Sequence, residues 1–265
     1  MDIAPVPILR EAQLLLKEKK ERDRTKLFAA EGFKVIKDMT FRGHLPKYVV
    51  LADRTAKDPQ KKELLDRFEA SRVPVYVTSN KDFELLSEMK TSQGILAVIP
   101  KSEKAVDVVR SAGKSIAVLC DGIQDPGNFG AMIRTSAAFG ADIVLRCGDT
   151  ADKYNPKVIR GSSGTMLDIA VLDYNDELAS CLKDAGYKLL AASAAGEQAS
   201  DLRKIRIIPE KVIIAFGSEG RGISERVLAM ADGHFHIPID PVVESLNVTA
   251  AAAITLFTFT SMEQR

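Results

Sequence analysis

At 265 residues, with 46% hydrophobic and 28% charged side chains, the chain is long enough for two compact units. It has neither the polarity of a disordered tail nor a Cys-rich or collagen-like bias. Lys and Arg number 37 against 36 Asp and Glu, a net charge of +1 that divides unevenly along the chain. Residues 8–40 have helix composition, with Leu14, Leu15, Leu16, Leu27, Phe28, Val35 and Ile36 separated by charge. Residues 48–51 and 73–77 read as strands, with a helical stretch at 61–70 between them, and 94–99 reads as a third strand. This alternation predicts a small α/β unit over 1–105, joined by the polar stretch 100–114 to a second unit over 106–265. In the second unit apolar runs recur at 116–119, 143–145, 169–172, 188–192, 212–216 and 236–239, with helical segments between them. That is the pattern of βα units around a mostly parallel sheet, whose ligands are expected at the carboxyl ends of the strands.

Residues 1–105 hold 21 Lys and Arg against 16 Asp and Glu, a net of +5, while 106–265 hold 16 against 20, a net of −4. A polyanionic partner is therefore expected to dock mainly on the first unit. The densest stretch, 17–26, carries six positive and three negative charges. It reads either as a solvated helix face with i,i+4 pairs or as a phosphate-contacting surface. No signal-peptide shape occurs in the first thirty residues, and the longest apolar stretch, 248–259, falls short of the roughly 20 residues a bilayer requires. A cytoplasmic protein that does not span a membrane is expected. Cys120, Cys147 and Cys181 are separated by 27 and 34 residues, spacing that suits reduced core thiols and neither a disulfide framework nor a metal site.

Several familiar motifs fail. Gly113-Lys114-Ser115 looks like the end of a phosphate-binding loop, but the glycine required five positions earlier is Val108. No G-x-G-x-x-G, G-x-S-x-G or H-E-x-x-H occurs, which removes the main support for hydride transfer to NAD and for hydrolase chemistry. Three loops carry more. In 119–135 a strand ends, an Asp/Pro/Gly-rich loop turns, and a helix is expected to start near Asn128, which serves either as its cap or as a functional group, with Arg134 inside the helix. In 212–224 a buried strand leads into Gly217, Gly220 and Gly222, where the backbone approaches a ligand or takes positive φ. Ligand contact is the favoured reading, and Ser224 is the expected cap of the next helix. In 236–249 two prolines stiffen the exit from a strand, and Ser245 or Asn247 is placed to cap an Ala-rich apolar helix whose continuous apolar face suits burial or a second subunit.

Taken together and in this order, the three segments resemble the signature motifs of the SpoU (TrmH-like) family of RNA ribose 2′-O-methyltransferases, within the SPOUT class. The first motif's N-x-x-G-x-x-x-R pattern is carried by Asn128, Gly130 and Arg134, with one residue fewer between the first two. The second, G-x-E-G, is carried by Gly217, Glu219 and Gly220, and the third, S-L-N-V, by Ser245, Leu246, Asn247 and Val248 after Ile237-Pro238. The resemblance implies a C-terminal SPOUT-type α/β domain with a deep trefoil knot, preceded by a small ribosomal-protein-like α/β/α domain that binds the RNA. It implies S-adenosylmethionine as cofactor, a homodimer, and no metal. Catalytic roles are implied for Asn128, Arg134, Glu219, Ser245 and Asn247, and cofactor contacts for Ser193, Gly217, Glu219, Gly220, Ile237, Ile239 and Leu246. Arg134 is implied either as the group that activates the 2′-hydroxyl or, since guanidinium stays protonated, as an electrostatic stabiliser bound to the neighbouring phosphate. Ribosomal RNA is the expected substrate; transfer RNA, or a non-catalytic RNA-binding protein of the same fold, is the alternative.

Overall fold

The first sheet, in a computed structural model that describes residues 1–102, 109, 113–193 and 199–262, holds five strands where the sequence pattern marks three. Its unit comprises Met1–Glu103 together with Tyr154–Leu167. In chain order it runs β1 (Asp2–Ile3), α1 (Val6–Lys17), α2 (Lys19–Thr25), β2 (Leu27–Glu31), α3 (Phe33–Phe41), β3 (Tyr48–Ala52), α4 (Asp53–Ala56), α5 (Lys62–Ala70), β4 (Val75–Thr78), α6 (Asn80–Leu86) and β5 (Ile95–Pro100). The sheet order is β1-β4-β3-β5-β2; β1, β4 and β3 are parallel, and β5 is antiparallel to β3 and β2.

The expected helical stretch 8–40 is broken by β2. Lys26, at φ 57, takes the left-handed conformation that stops α2, and the next five residues are all buried. Leu27, Phe28, Ala29 and Ala30 suit a helix in isolation, but pairing with β5 and burial override that preference. Part of the charged run 17–26 is paired within the unit. Lys19 and Lys101 pair with Asp23, and Arg24 pairs with Glu21. Buried Arg22 donates to the carbonyls of Leu15 and Leu16 at 2.9 and 3.2 Å, taking up acceptors left open at the end of α1. At the end of β2, the fully buried Glu31 carboxylate accepts from the hydroxyls of Ser87 and Ser92 and from the Glu88 N–H, which ties that loop to the sheet.

The second unit comprises Lys104–Lys153 and Asp168–Arg265. It runs β6 (Ser115–Asp121), α7 (Pro126–Ala138) and β7 (Ile143–Cys147); α8 (Pro156–Gly161) belongs to the first unit. Then follow β8 (Ala170–Asp173), α9 (Asp176–Asp184), β9 (Lys188–Ala192), β10 (Ser200–Asp201), β11 (Lys211–Gly217), α10 (Glu225–Ala229), β12 (Gly233–His236) and α11 (Val248–Met262). The seven strands are all parallel, in the order β10-β12-β9-β11-β6-β7-β8. The boundary expected between residues 105 and 106 lies outside the described residues. Residues 154–167, inside the stretch assigned by sequence to the second domain, fold with the first unit: the Tyr154 ring lies 5.0 Å from that of Phe28, and the Arg42 guanidinium donates to the Ser163 carbonyl at 3.1 Å. The strand expected at 236–239 sits earlier, at Gly233–His236, because Pro238 has no N–H to give a ladder.

Ala117, Leu119, Ile143, Leu145, Leu189 and Ala215 form the centre of the second core, with Leu178, Leu182 and Val227 of α9 and α10 against them. On α11, Ala252, Leu256 and Phe259 are fully buried, whereas Ile254 and Phe257 are 41% and 60% exposed. The Phe257 ring meets Phe139, just past α7, edge-on at 6.2 Å. Among the described residues no helix is long and apolar enough to cross a membrane.

Candidate active site

β6 lies between β11 and β7, so the chain leaves it toward one side of the sheet while β11 and β9 fill the other. Such a switch of direction opens a crevice at the carboxyl ends of the strands. The register puts Gly217, the last residue of β11, beside Asp121, the last of β6, and Asp121 beside Cys147, the last of β7. Two of the three informative loops, those after β6 and β11, therefore start at neighbouring points.

Asp125, and not Asn128, caps α7: its Oδ1 accepts the Asn128 N–H at 2.7 Å, with Pro126 as the first helical residue. The helix thus begins two residues earlier than expected, and the Asn128 side chain is released for other contacts. Its amide donates to Glu219 Oε1 at 3.4 Å. Asn247 donates to the same Glu219 oxygen at 2.6 Å and to Asn128 Oδ1 at 3.3 Å. At the same time Asn247 Oδ1 accepts the Thr249 N–H at 3.0 Å in the first turn of α11. Residues 91 and 119 positions from Asn128 along the chain thereby join it in one hydrogen-bonded cluster.

The glycines of the second loop answer in part to its own backbone, and all three line one or both of the cavities that flank it. A Cβ at Gly217 would lie 2.0 Å from the Gly222 carbonyl carbon and 2.2 Å from the Ile223 nitrogen. Ser218 and Gly222 exchange two backbone hydrogen bonds, at 2.9 and 3.1 Å, and Gly222 has φ +68. Gly220 and Gly222 both have open space where a Cβ would stand, so at Gly222 the positive φ and not crowding calls for glycine. The buried Asp121 carboxylate accepts the Ser224 N–H at 2.7 Å, fastening the far end of this loop to β6, while the Ser224 hydroxyl itself makes no cap bond to α10.

Two cavities flank the cluster. The smaller, of about 300 Å³, is lined by Ser193, Gly217, Glu219, Ile237, Ile239, Ser245 and Leu246, with Ala192, Phe235, Val248 and Ala251 among the rest of its wall. The larger, of about 560 Å³, is lined by Gln124, Asp125, Asn128, Asp149, Tyr174, Glu219, Gly220 and Arg221 among others. Ser218, Glu219, Gly222 and Val248 line both. Arg134 lines neither: its side chain is exposed on α7 and has no hydrogen-bond or ion-pair partner among the described residues. Burial above all, with Asp121 adjacent, pushes the Cys147 thiol up to about 11, so the cysteine at the larger cavity's wall is protonated at neutral pH. Sequence reading passed over Asp121, Gln124, Asp149 and Thr150. Only the Asp-rich composition of 121–125 and 149–152 hinted at them, and their partners lie on other strands.

The small cavity is concave and largely apolar, with a few polar groups converging on it, and its volume is at the low end for small-molecule sites. Its Ala, Ile, Leu and Val side chains suit the methylene and adenine faces of S-adenosylmethionine, and the Glu219 carboxylate suits its positive sulfonium.

A parallel α/β sheet with two joined cavities at its switch point defines a ligand-binding enzyme of the open-sheet class. Its relatives narrow the class. The model of the SpoU rRNA methylase family matches residues 115–257, and that of an MRM3-like substrate binding domain matches residues 11–97. The 23S rRNA (guanosine(2553)-2′-O)-methyltransferase RlmP of Bacillus subtilis is 31% identical over 249 residues, 91% of this chain and 92% of that protein. A solved RNA 2′-O ribose methyltransferase is 26% identical with a TM-score of 0.81, over 100% of both chains. The AdoMet-bound rRNA methyltransferase of Sinorhizobium meliloti has the same fold, with a TM-score of 0.82 at 24% identity, over 97% of this chain and 96% of that one. The chain belongs to the SpoU rRNA methylase family.

Proposed function

We propose that this protein transfers the methyl group of S-adenosylmethionine to a ribose 2′-hydroxyl of ribosomal RNA, in the cytoplasm. The observation that carries the reading is the hydrogen-bonded cluster of Asn128, Glu219 and Asn247, in which Glu219 lines both cavities and Asn128 the larger. Family membership supplies the reaction class, and the Bacillus subtilis relative, named for 23S rRNA, supports ribosomal over transfer RNA.

Bound in the small cavity, the cofactor supplies an electrophilic methyl on a sulfonium. Ser193, Ile237, Ile239 and Leu246 form its walls, and Gly217 keeps the loop close enough to bound it. Glu219 stands between the two cavities, where its carboxylate offsets positive charge and orients the two asparagine amides toward a sugar. Ser245 lines the cofactor side, exposed and free to meet the RNA. Gly220 leaves open space on the side of the larger cavity. Holding the oxygen, carbon and sulfur in line is the chief task, worth several powers of ten in rate.

Arg134 is the proposed stabiliser of the developing alkoxide, through the adjacent phosphate, with phosphate or water taking the proton. Since its side chain lines neither cavity, we read the site as completed by a second copy of the chain. The exposed Ile254 and Phe257 of α11, with Phe139 against Phe257, support a homodimer through this helix. A trefoil knot in the second unit, and a ribosomal-protein-like RNA-binding role for the first, complete the proposal; the substrate-domain match over 11–97 supports the latter. Calorimetric titration with S-adenosylmethionine, together with a map of 2′-O-methyl sites in ribosomal RNA from cells with and without the protein, tests the reading. The expected result is cofactor binding and one site lost with the gene; no binding and an unchanged map would leave a non-catalytic RNA-binding protein.

A further inference from the structure

We infer that the larger cavity receives the base of the target nucleotide and that Gln124 and Asp149 select guanine; this rests on the methyl-transfer reading above. With the cofactor in the small cavity and the ribose at Asn128, Glu219 and Asn247, the adjoining space left for a base turned out of its stack is the larger cavity, which Asn128 and Glu219 also line.

The other carboxylates of that cavity are committed elsewhere. Asp121 and Asp125 each give an oxygen to a backbone N–H, of Ser224 and Asn128, and Glu219 serves the two asparagines. Among the described residues the Gln124 and Asp149 side chains bond only to each other, the Gln124 amide donating to Asp149 Oδ2. The loops that carry them do not depend on this bond. Gly122 N–H already meets the Cys147 carbonyl at 3.2 Å, and Ala151 N–H meets the Ile123 carbonyl at 3.0 Å. The Thr150 hydroxyl accepts the Ile123 N–H at 3.0 Å and lies 2.9 and 2.7 Å from the carbonyls of Cys120 and Cys147. The exposed Gln124–Asp149 pair is surplus to loop closure and sits on the cavity wall.

Because a carboxylate only accepts, the direction of the Gln124–Asp149 bond is fixed. What the pair still offers is two acceptors, Asp149 Oδ1 and Gln124 Oε1, and the second amide hydrogen as donor. Guanine is the base whose pairing edge sets two donors, N1–H and N2–H, side by side next to an acceptor, O6. Adenine would turn the N1 lone pair toward the carboxylate, cytosine would turn N3, and uracil offers one donor between two carbonyls. Charge-assisted bonds of this kind carry strong selectivity, because the wrong base leaves a partly desolvated carboxylate unpaired.

The test is to methylate ribosomal RNA from cells lacking this protein with the purified full chain and S-adenosylmethionine, digest it to nucleosides and identify the product by mass spectrometry. The expected product is 2′-O-methylguanosine. The 2′-O-methyl form of adenosine, cytidine or uridine in its place overturns the base assignment and leaves the reaction standing; no ribose-methylated nucleoside at all overturns the reaction itself. In parallel, the isosteric Asp149→Asn keeps an acceptor for Gln124 but gives the base a donor. Its kcat/KM for RNA is expected to fall about ten- to hundredfold, with cofactor affinity by calorimetry unchanged. An unaltered kcat/KM overturns the assignment, as does a loss that tracks weakened cofactor binding.

Discussion

The two units of the chain share an alternation of strands and helices and differ in how they use it. In the first, β5 runs against β3 and β2, and part of the charged run on α2 is answered within the unit by Asp23, Glu21 and the carbonyls of α1. In the second, all seven strands run one way, so every strand delivers its loop to one edge, and the direction switches between β11 and β6. There Asn128, Glu219 and Asn247 meet, although the chain separates them widely. A mixed sheet scatters its loops to both ends, whereas a parallel sheet with a switch point gathers them. The difference teaches that the more basic unit is not thereby the chemical one.

Substitutions in the second unit should therefore strike the chemical step, and those in the first should strike stability or RNA binding and leave that step alone. The largest effect is expected from Gly217→Ala. A methyl so close to the Gly222 and Ile223 backbone forces the loop open, costing about 3 kcal/mol and abolishing cofactor binding, as read by thermal melting and calorimetry. Next comes Arg134→Lys, which keeps the charge and loses the planar fork. It is expected to lower kcat about a hundredfold with cofactor affinity intact; a lysine variant with near wild-type turnover would remove Arg134 from the chemistry. Asp125→Ala, which deletes the cap of α7 beneath Asn128, should cost about 1 kcal/mol, a fall of about 2–4 °C in Tm, with a further loss in turnover.

The smallest effect belongs to the first unit. Hydrogen bonds from Lys101 and Lys19 hold the Asp23 carboxyl down at about 2. A depressed carboxyl stabilises the fold above its unfolded value near 3.9 and loses that contribution as pH falls toward 2. Asp23→Asn should flatten the acid limb of the stability curve between about pH 4 and 2. The change should be under about 1 kcal/mol, since the pair is half-exposed, with no change in turnover at neutral pH.

Five of the seven strands of the second unit are legible in place, because a parallel sheet covered on both faces writes continuous apolar runs such as 116–119 and 212–216; the two-residue β10 writes none, and β12 lies ahead of its expected place. β2 was not legible: Phe28, Ala29 and Ala30 carry no alternation, and only their pairing with β5 makes them a strand. The site's candidate residues could be named by motif, but their assembly could not. Asp125 took the cap that Asn128 offered equally well on paper, and that exchange is what frees Asn128 to reach Glu219. The three glycines of 217–222 line the cavities, and two of them also serve the loop's own close approach and positive φ, which the sequence could not separate. The Gln124–Asp149 pair joins loops from different strands, a contact that no local pattern encodes.

The most direct measurement supplies S-adenosylmethionine carrying a tritiated methyl to the purified protein with ribosomal RNA and hydrolyses the product in alkali. A methyl on the 2′-oxygen blocks cleavage of the following phosphodiester, so the account predicts label in alkali-resistant dinucleotides. Label released in mononucleotides would place the methyl on a base and contradict the site as a ribose methyltransferase.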